Sequence, residues 1–204
     1  MALPRIASPA SATCHQVVAA EIVRQAVFWD RDGVLTRSIV RDGKPFAPVT
    51  LQEFEILPGA PEALLKTRQA GFLNIVVTNQ PDIATGKQDR HVLDRMHSRL
   101  KIELAVDSIW VCTHIDADDC DCRKPKAGLL LNAAREHGVR LTESYMVGDR
   151  WRDVAAGQSA GCQSFFIDHG YAEKRPEPPF VTVKSAAEAA DLMLFRTTEI
   201  NKKT

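Results

Sequence analysis

The feature that most constrains this chain is an alternation of short apolar runs with stretches of helical period. Apolar runs at Gln25 to Trp29, Phe72 to Val77, Ser108 to Cys112, Ser144 to Val147 and Gln163 to Ile167 have the length of buried strands. Between and after them the pattern predicts helices over Ala60 to Ala70, Gln88 to Ala105, Leu129 to His137, Val154 to Ala160 and Ala186 to Leu194. Val92, Met96, Leu100 and Leu104 recur on one helical face, and Gly71 and Gly138 stand where helices stop. Arg41 to Leu57 reads as a loop or a short hairpin. Strands alternating with helices imply right-handed βαβ units. The expected class is therefore α/β, a three-layer Rossmann-like arrangement with a central parallel sheet covered on both faces. No repeat or linker interrupts the pattern. Residues 21–195 are expected to form one domain, after a flexible leader over 1–20 and before a fraying tail over 196–204.

In such sheets ligands bind beyond the carboxyl ends of the strands. Those ends carry chemistry here. Asp30 and Asp32 close the first run in Asp30-Arg31-Asp32-Gly33, where two carboxylates can face one cavity. Close carboxylates repel unless a cation or proton lies between them, and Mg²⁺ prefers such oxygen ligands. One of the pair can attack phosphorus, and the other can protonate a leaving oxygen and then deprotonate water. Thr78, Asn79 and Gln80 end the second run, where a hydroxyl and backbone N–H groups can hold phosphoryl oxygens. Lys124 in Arg123-Lys124-Pro125-Lys126 offers a fixed positive charge. Asp149 can complete a metal shell, and Asp153 can orient a water or Lys124. Taken singly, each has a plainer reading: a polar turn, a strand-end hydroxyl, a solvated lysine, a helix N-terminal acid. Their occurrence together, in this order at successive strand ends, favours one site.

The series Asp-x-Asp-Gly, Val-Thr-Asn-Gln, Arg-Lys-Pro-Lys and Gly-Asp-x-x-x-Asp, from about Ala26 to Gly170, resembles the haloacid dehalogenase (HAD) superfamily of phosphohydrolases. The resemblance implies Asp30 as nucleophile, Asp32 as general acid/base, Thr78 as a phosphate ligand and Lys124 as a neutralising charge. Mg²⁺ would be held by Asp30, the Asp32 backbone carbonyl and Asp149. Trp29, Thr36 and Thr85 depart from the usual pattern. The gaps from Asp32 to Thr78 and from Thr78 to Lys124 are too short for a separate cap domain, so loops should control access.

Cys112, His114, Cys120 and Cys122 supply three thiolates and one imidazole, a full tetrahedral shell for structural Zn²⁺. The loop that carries them holds Asp116, Asp118, Asp119 and Asp121 and runs into Arg123 and Lys124, so a bound metal would position those cations. Such a cluster is similar to the zinc-containing branch of the superfamily, which acts on heptose bisphosphates and on histidinol phosphate. Arg123 and Arg150 flank the expected site, and arginine recognises phosphate through two parallel bonds. That favours a sugar bisphosphate over histidinol phosphate, whose far end is cationic.

Lysine plus arginine equals aspartate plus glutamate at 26 each. This balance disfavours bulk attraction to nucleic acid. No apolar run reaches the roughly 18 residues of a membrane span. Clustered cysteines, odd in number, suit a reducing compartment rather than a secreted disulfide framework. The expectation is a cytoplasmic monomer acting on a small phosphorylated metabolite, with no nucleic-acid or membrane partner. A phospho-acceptor receiver domain, which uses similar acids with a threonine and a lysine, is the rival from another class.

Overall fold

The computed structural model describes residues 23–201. The leader expected over 1–20 lies outside them. In chain order the elements are β1 (Ala26–Trp29), β2 (Ile39–Arg41), β3 (Lys44–Phe46), α1 (Ala60–Gln69), β4 (Leu73–Asn79), α2 (Arg90–Glu103), β5 (Ser108–Cys112), α3 (Gly128–His137), β6 (Tyr145–Gly148), α4 (Trp151–Ala160), β7 (Gln163–Ile167), β8 (Val181–Val183) and α5 (Ala186–Asn201). The main sheet is parallel, in the order β5-β4-β1-β6-β7-β8. Numbered among its own strands this is 3-2-1-4-5-6, so strand order reverses at β1, where a crevice opens. A receiver domain has the order 2-1-3-4-5, and the rival reading fails on topology.

Strand β1 shows why the sheet is central. Val27 and Trp29 point into one core, with Leu64, Met96 and Ala189 from α1, α2 and α5. Ala26 and Phe28 point into the other, with Leu130 and Ala156 from α3 and α4. All four are fully buried, as a strand between two helical layers must be. Fully burying one such large side chain is worth about 1.5–3 kcal/mol. Trp29 fits because its Nε1 donates to Asn74 Oδ1 at 3.0 Å, and Asn74 is held in turn by Thr67 Oγ1 at 2.7 Å. A buried indole N–H needs such a partner.

The structure departs from the sequence pattern in instructive places. β4 runs two residues past Val77, so Thr78 and Asn79 belong to the strand. α4 begins one turn before Val154, because the Asp153 carboxylate accepts the Arg150 N–H at 3.0 Å and caps the helix. β8 has three residues, too few for a period, and forms by pairing with the free edge of β7. α5 continues to Asn201, beyond the Leu194 at which its apolar pattern stops. The segment over Arg41 to Leu57 opens with half of a hairpin, β2–β3, that starts at Ile39. Asp42 and Gly43 at its tip both have positive φ, 49° and 72°, the backbone that a tight two-residue hairpin turn needs.

Candidate active site

Asp30 stands one residue past β1 and Asp149 one residue past β6, on adjacent strands at the crevice. Asp153 rises from the first turn of α4. A carboxylate oxygen from each lies within 4.8 Å of the others, and all three residues are buried. Lys124 Nζ binds Asp30 Oδ1 at 2.7 Å, Asp153 Oδ1 at 2.6 Å and the Val77 carbonyl at 2.8 Å. The lysine is 2% exposed, so its charge acts in a medium where it is strongly felt.

One ammonium cannot offset three buried carboxylates. Burial, then Asp153 and Asp32, push the Asp30 carboxyl up to about 7 against the pull of Lys124. Burial, then Asp30 and Asp153, hold Asp149 well above the usual carboxylate range, only partly offset by the nearby Tyr171 hydroxyl. Neither Asp149 oxygen has a hydrogen-bond partner of ordinary geometry. A buried carboxylate left so is costly, and a hard cation is the natural complement of this donor set. Gly33 keeps the space: its φ is +84°, and a Cβ there would stand 1.8 Å from Asp149 Oδ2.

The Asp32 carboxylate lies outside this cluster, and the expected Asp30, Asp32 and Asp149 set takes only the Asp32 backbone carbonyl. Arg31 Nε and Nη2 grip its two oxygens at 3.0 and 2.8 Å. Thr36 Oγ1 and Gln80 Nε2 donate to it at 2.9 and 2.8 Å. Four donors satisfy this carboxylate, so of this residue its backbone carbonyl is the group left to face a cation. Arg31 is fully buried, lies over Phe54, and its Nη1 donates to His97 Nε2 at 3.2 Å. Sequence reasoning passed over Arg31 as the spacer between two acids.

Thr78 is 1% exposed at the cleft wall, its Oγ1 accepting from Gln80 Nε2 at 2.8 Å. Gln80 is fully buried behind that wall, so its amide orders Asp32 and Thr78. The Asn79 amide exchanges two hydrogen bonds with the Lys124 backbone, at 3.0 and 3.1 Å, and fixes the lysine's place. Arg150 faces the cleft but is engaged by both oxygens of Glu173. Arg123 lies off the cleft, its Nε on Asp116 Oδ1 at 2.6 Å. The cleft, about 280 Å³, is also lined by Lys44 and Phe46 of the hairpin and by Lys87, Asp82 and Arg152. These residues lie on a hairpin, a loop and a helix start, where no periodic pattern marks them.

Cys112, His114, Cys120 and Cys122 come together as expected, with Cys112 at the end of β5. Neighbouring Sγ and Nδ1 atoms are 3.3 to 3.7 Å apart in four pairs, and all four atoms lie within 4.8 Å of one another. A disulfide needs sulfurs about 2 Å apart. Ligands at about 2.0–2.3 Å around a tetrahedral Zn²⁺ leave edges of roughly 3.5–3.8 Å. The spacing therefore fits a metal shell, and the cysteines are free.

A family profile described as HAD-hydrolase-like matches residues 121–189. A D-glycero-beta-D-manno-heptose-1,7-bisphosphate 7-phosphatase of Pseudomonas aeruginosa is 37% identical over 152 residues, covering 72% of this chain and 83% of the relative. The chain belongs to the HAD-like hydrolases, in the family of these heptose-bisphosphate phosphatases. The Bordetella bronchiseptica relative of the same name is 33% identical over 178 residues, 82% of this chain and 97% of its own. A crystal structure of D,D-heptose 1,7-bisphosphate phosphatase from B. bronchiseptica, complexed with magnesium and phosphate, superposes with a TM-score of 0.74 and 28% identity, covering 84% of this chain and 99% of that one. Family membership makes the chain a hydrolase of phosphate monoesters, in agreement with its strand-end acids. Among the described residues no helix is long and apolar enough to cross a membrane.

Proposed function

We propose that this chain removes the 7-phosphate of D-glycero-D-manno-heptose 1,7-bisphosphate through an aspartyl phosphate on Asp30. The observation that carries the chemistry is the buried Asp30 carboxylate, fixed by Lys124 at 2.7 Å beside the unpartnered Asp149. Asp30, Asp149 and the Asp32 carbonyl would hold Mg²⁺, with Asp153 beside them. When bound, the ion offsets charge on the carboxylates and on the phosphoryl oxygens. Zn²⁺ would be held by the Cys112, His114, Cys120 and Cys122 set and would keep the loop folded around Lys124.

An Asp30 oxygen forms a bond to phosphorus as the bond to the sugar oxygen breaks. Asp32 gives that oxygen its proton, then takes one from the water that releases inorganic phosphate from Asp30. Thr78 holds a phosphoryl oxygen, and Lys124 offsets the charge gathered in transit. Arg31 orients Asp32, while Asn79 and Gln80 order the groups around them.

The outer cleft supports a substrate with a second anion. Apart from Asp30, Asp32, Lys124 and Asp153, its charged residues are Lys44, Lys87, Arg150 and Arg152 against Asp82 and Glu173. Four cations against two acids favour a bisphosphate over a far end that is cationic. The name of the relatives suggests the beta anomer. Free thiols at Cys112, Cys120, Cys122 and Cys162 suit the cytoplasm. The continuous sheet supports one catalytic domain over 21–195. Phosphate release with Mg²⁺ from heptose 1,7-bisphosphate and from histidinol phosphate tests the reading. A preference of at least tenfold for the bisphosphate, lost in Asp30→Asn, is expected. A preference for histidinol phosphate would overturn the substrate and leave the chemistry standing.

A further inference from the structure

Resting on that reading, we propose that the loop after β7 steadies the groups that would hold the catalytic cation. Tyr171 positions the Asp149 carboxylate, and His169 positions the turn that carries the Asp32 carbonyl. Neither core cluster draws a side chain from residues 169–173. What fixes this stretch is polar, and its ties outside the loop lead to the site and to the hairpin beside it. His169 Nε2 meets the Gly33 carbonyl at 2.8 Å. The Tyr171 hydroxyl reaches both Ser38 and Asp149. The Ala172 N–H donates to the Gly43 carbonyl at 2.8 Å, and Glu173 accepts from Arg150 Nε at 2.9 Å.

A carbonyl can only accept, so His169 carries a proton on Nε2. On its other side, the Gly33 N–H donates to the Thr36 carbonyl at 2.6 Å. That N–H shares one planar peptide with the Asp32 carbonyl. Thr36 and His169 thus pin two successive peptides, and with them the direction of the Asp32 carbonyl. Asp149 has a greater need of support. It is 1% exposed, and neither of its oxygens has a hydrogen-bond partner of ordinary geometry. Lys124 is taken up by Asp30, Asp153 and the Val77 carbonyl. Tyr171 is the side chain whose hydroxyl approaches the Asp149 carboxylate. Gly33, Ser38 and Asp149 meet at one point, since a Cβ on Gly33 would stand 3.1 Å from Ser38 Oγ and 1.8 Å from Asp149 Oδ2. The Tyr171 hydroxyl serves the second and third of these. Its ring lies 5.3 Å from that of His169, so the two residues brace each other. An outer donor of this kind keeps a ligand aimed at its cation, and its loss costs roughly 10–100-fold in metal affinity.

The test is Mn²⁺ binding to the full chain, with the cysteine set first loaded with Zn²⁺, read by electron paramagnetic resonance without substrate. Asp149→Asn marks the site, and the wild-type binding should be lost in it. Tyr171→Phe removes one oxygen and keeps the ring, and should weaken Mn²⁺ binding at least tenfold. His169→Ala should weaken it about fivefold, and His169→Gln, which can still donate to Gly33, should lie closer to wild type. The Mg²⁺ concentration for half-maximal phosphate release from heptose 1,7-bisphosphate should rise in parallel. At saturating Mg²⁺, kcat should change less than threefold. A merely structural role would lower kcat at every Mg²⁺ concentration. Equal Mn²⁺ affinity in the wild type, Tyr171→Phe and His169→Ala overturns this inference and leaves the phosphatase reading standing. A wild type that binds no Mn²⁺, or binding that survives Asp149→Asn undiminished, overturns both.

Discussion

The catalytic rim and the cysteine loop each gather a donor set that could hold a cation, but in opposite ways. At the rim, Asp30, Asp149 and Asp153 are 7%, 1% and 2% exposed and are fixed by strand ends and a helix start. The surrounding sheet holds them together although they repel. In the cysteine loop, His114 and most of the residues around it are exposed, and the residues from Thr113 to Arg123 contribute no fully buried apolar side chain. Here the ligands must hold the backbone, because no core does so. The rim gives up stability to keep charge in place, whereas the loop would gain its shape from a cation held by its four ligands.

The largest effect that sharpens this contrast is at Asp149. Asp149→Asn should lower kcat at least a thousandfold, since it removes a carboxylate at which a hard cation would sit. In chelator-treated protein near pH 8 the same change should raise the melting temperature by roughly 3–5 °C, because burial and the facing acids oppose the charge it removes and Tyr171 offsets them only in part. A lower melting temperature would mean that the carboxylate supports the fold. Cys120→Ser should do the reverse at the loop. Activity should fall about tenfold, through a loosened Lys124, and the melting temperature should fall by several degrees. Excess Zn²⁺ should not restore the variant, and equal melting of variant and wild type would break the comparison.

The smallest effect lies between the two regions, at His97. Only donors face its Nε2 from Arg31, so that nitrogen carries no proton. Burial, then the Arg31 charge, push the imidazole down to about 3, against Asp32 and Asp94. The unfolded chain therefore binds a proton below about pH 6.5 that the folded chain does not, and stability falls as pH drops from there toward 3. Urea unfolding at pH 6.5 and 5 should show the loss, at most about 1.4 kcal/mol per pH unit. His97→Gln, which still accepts from Arg31, should flatten that slope while leaving the pH 7.5 stability within about 1 kcal/mol. An unchanged acid slope would show that the histidine is not the group responsible.

Much of this architecture was legible because it rests on local pattern. β5 and β7 fall where the apolar runs place them, and α3 ends at Gly138, whose φ of 64° is that of a helix stop. The strand-end acids, Lys124 and the cysteine set were legible because chemistry requires those residue types at those spacings. What escaped was whatever depends on a neighbour distant in sequence. β8 exists only because β7 offers an edge. Trp29 departs from the family pattern, yet Asn74, 45 residues away, makes it fit.

The sequence by itself determined the class of fold, the nucleophile candidate and the two sets of candidate metal ligands, since periodicity and ligand chemistry are written residue by residue. Only the tertiary structure decided how the charges are shared. It turned the Asp32 carboxylate toward Arg31, paired Arg150 with Glu173 and brought the Tyr171 hydroxyl to Asp149. Whether a charged group is engaged or available depends on which opposite charge lies within about 4 Å of it, and that distance is set by packing rather than by position along the chain.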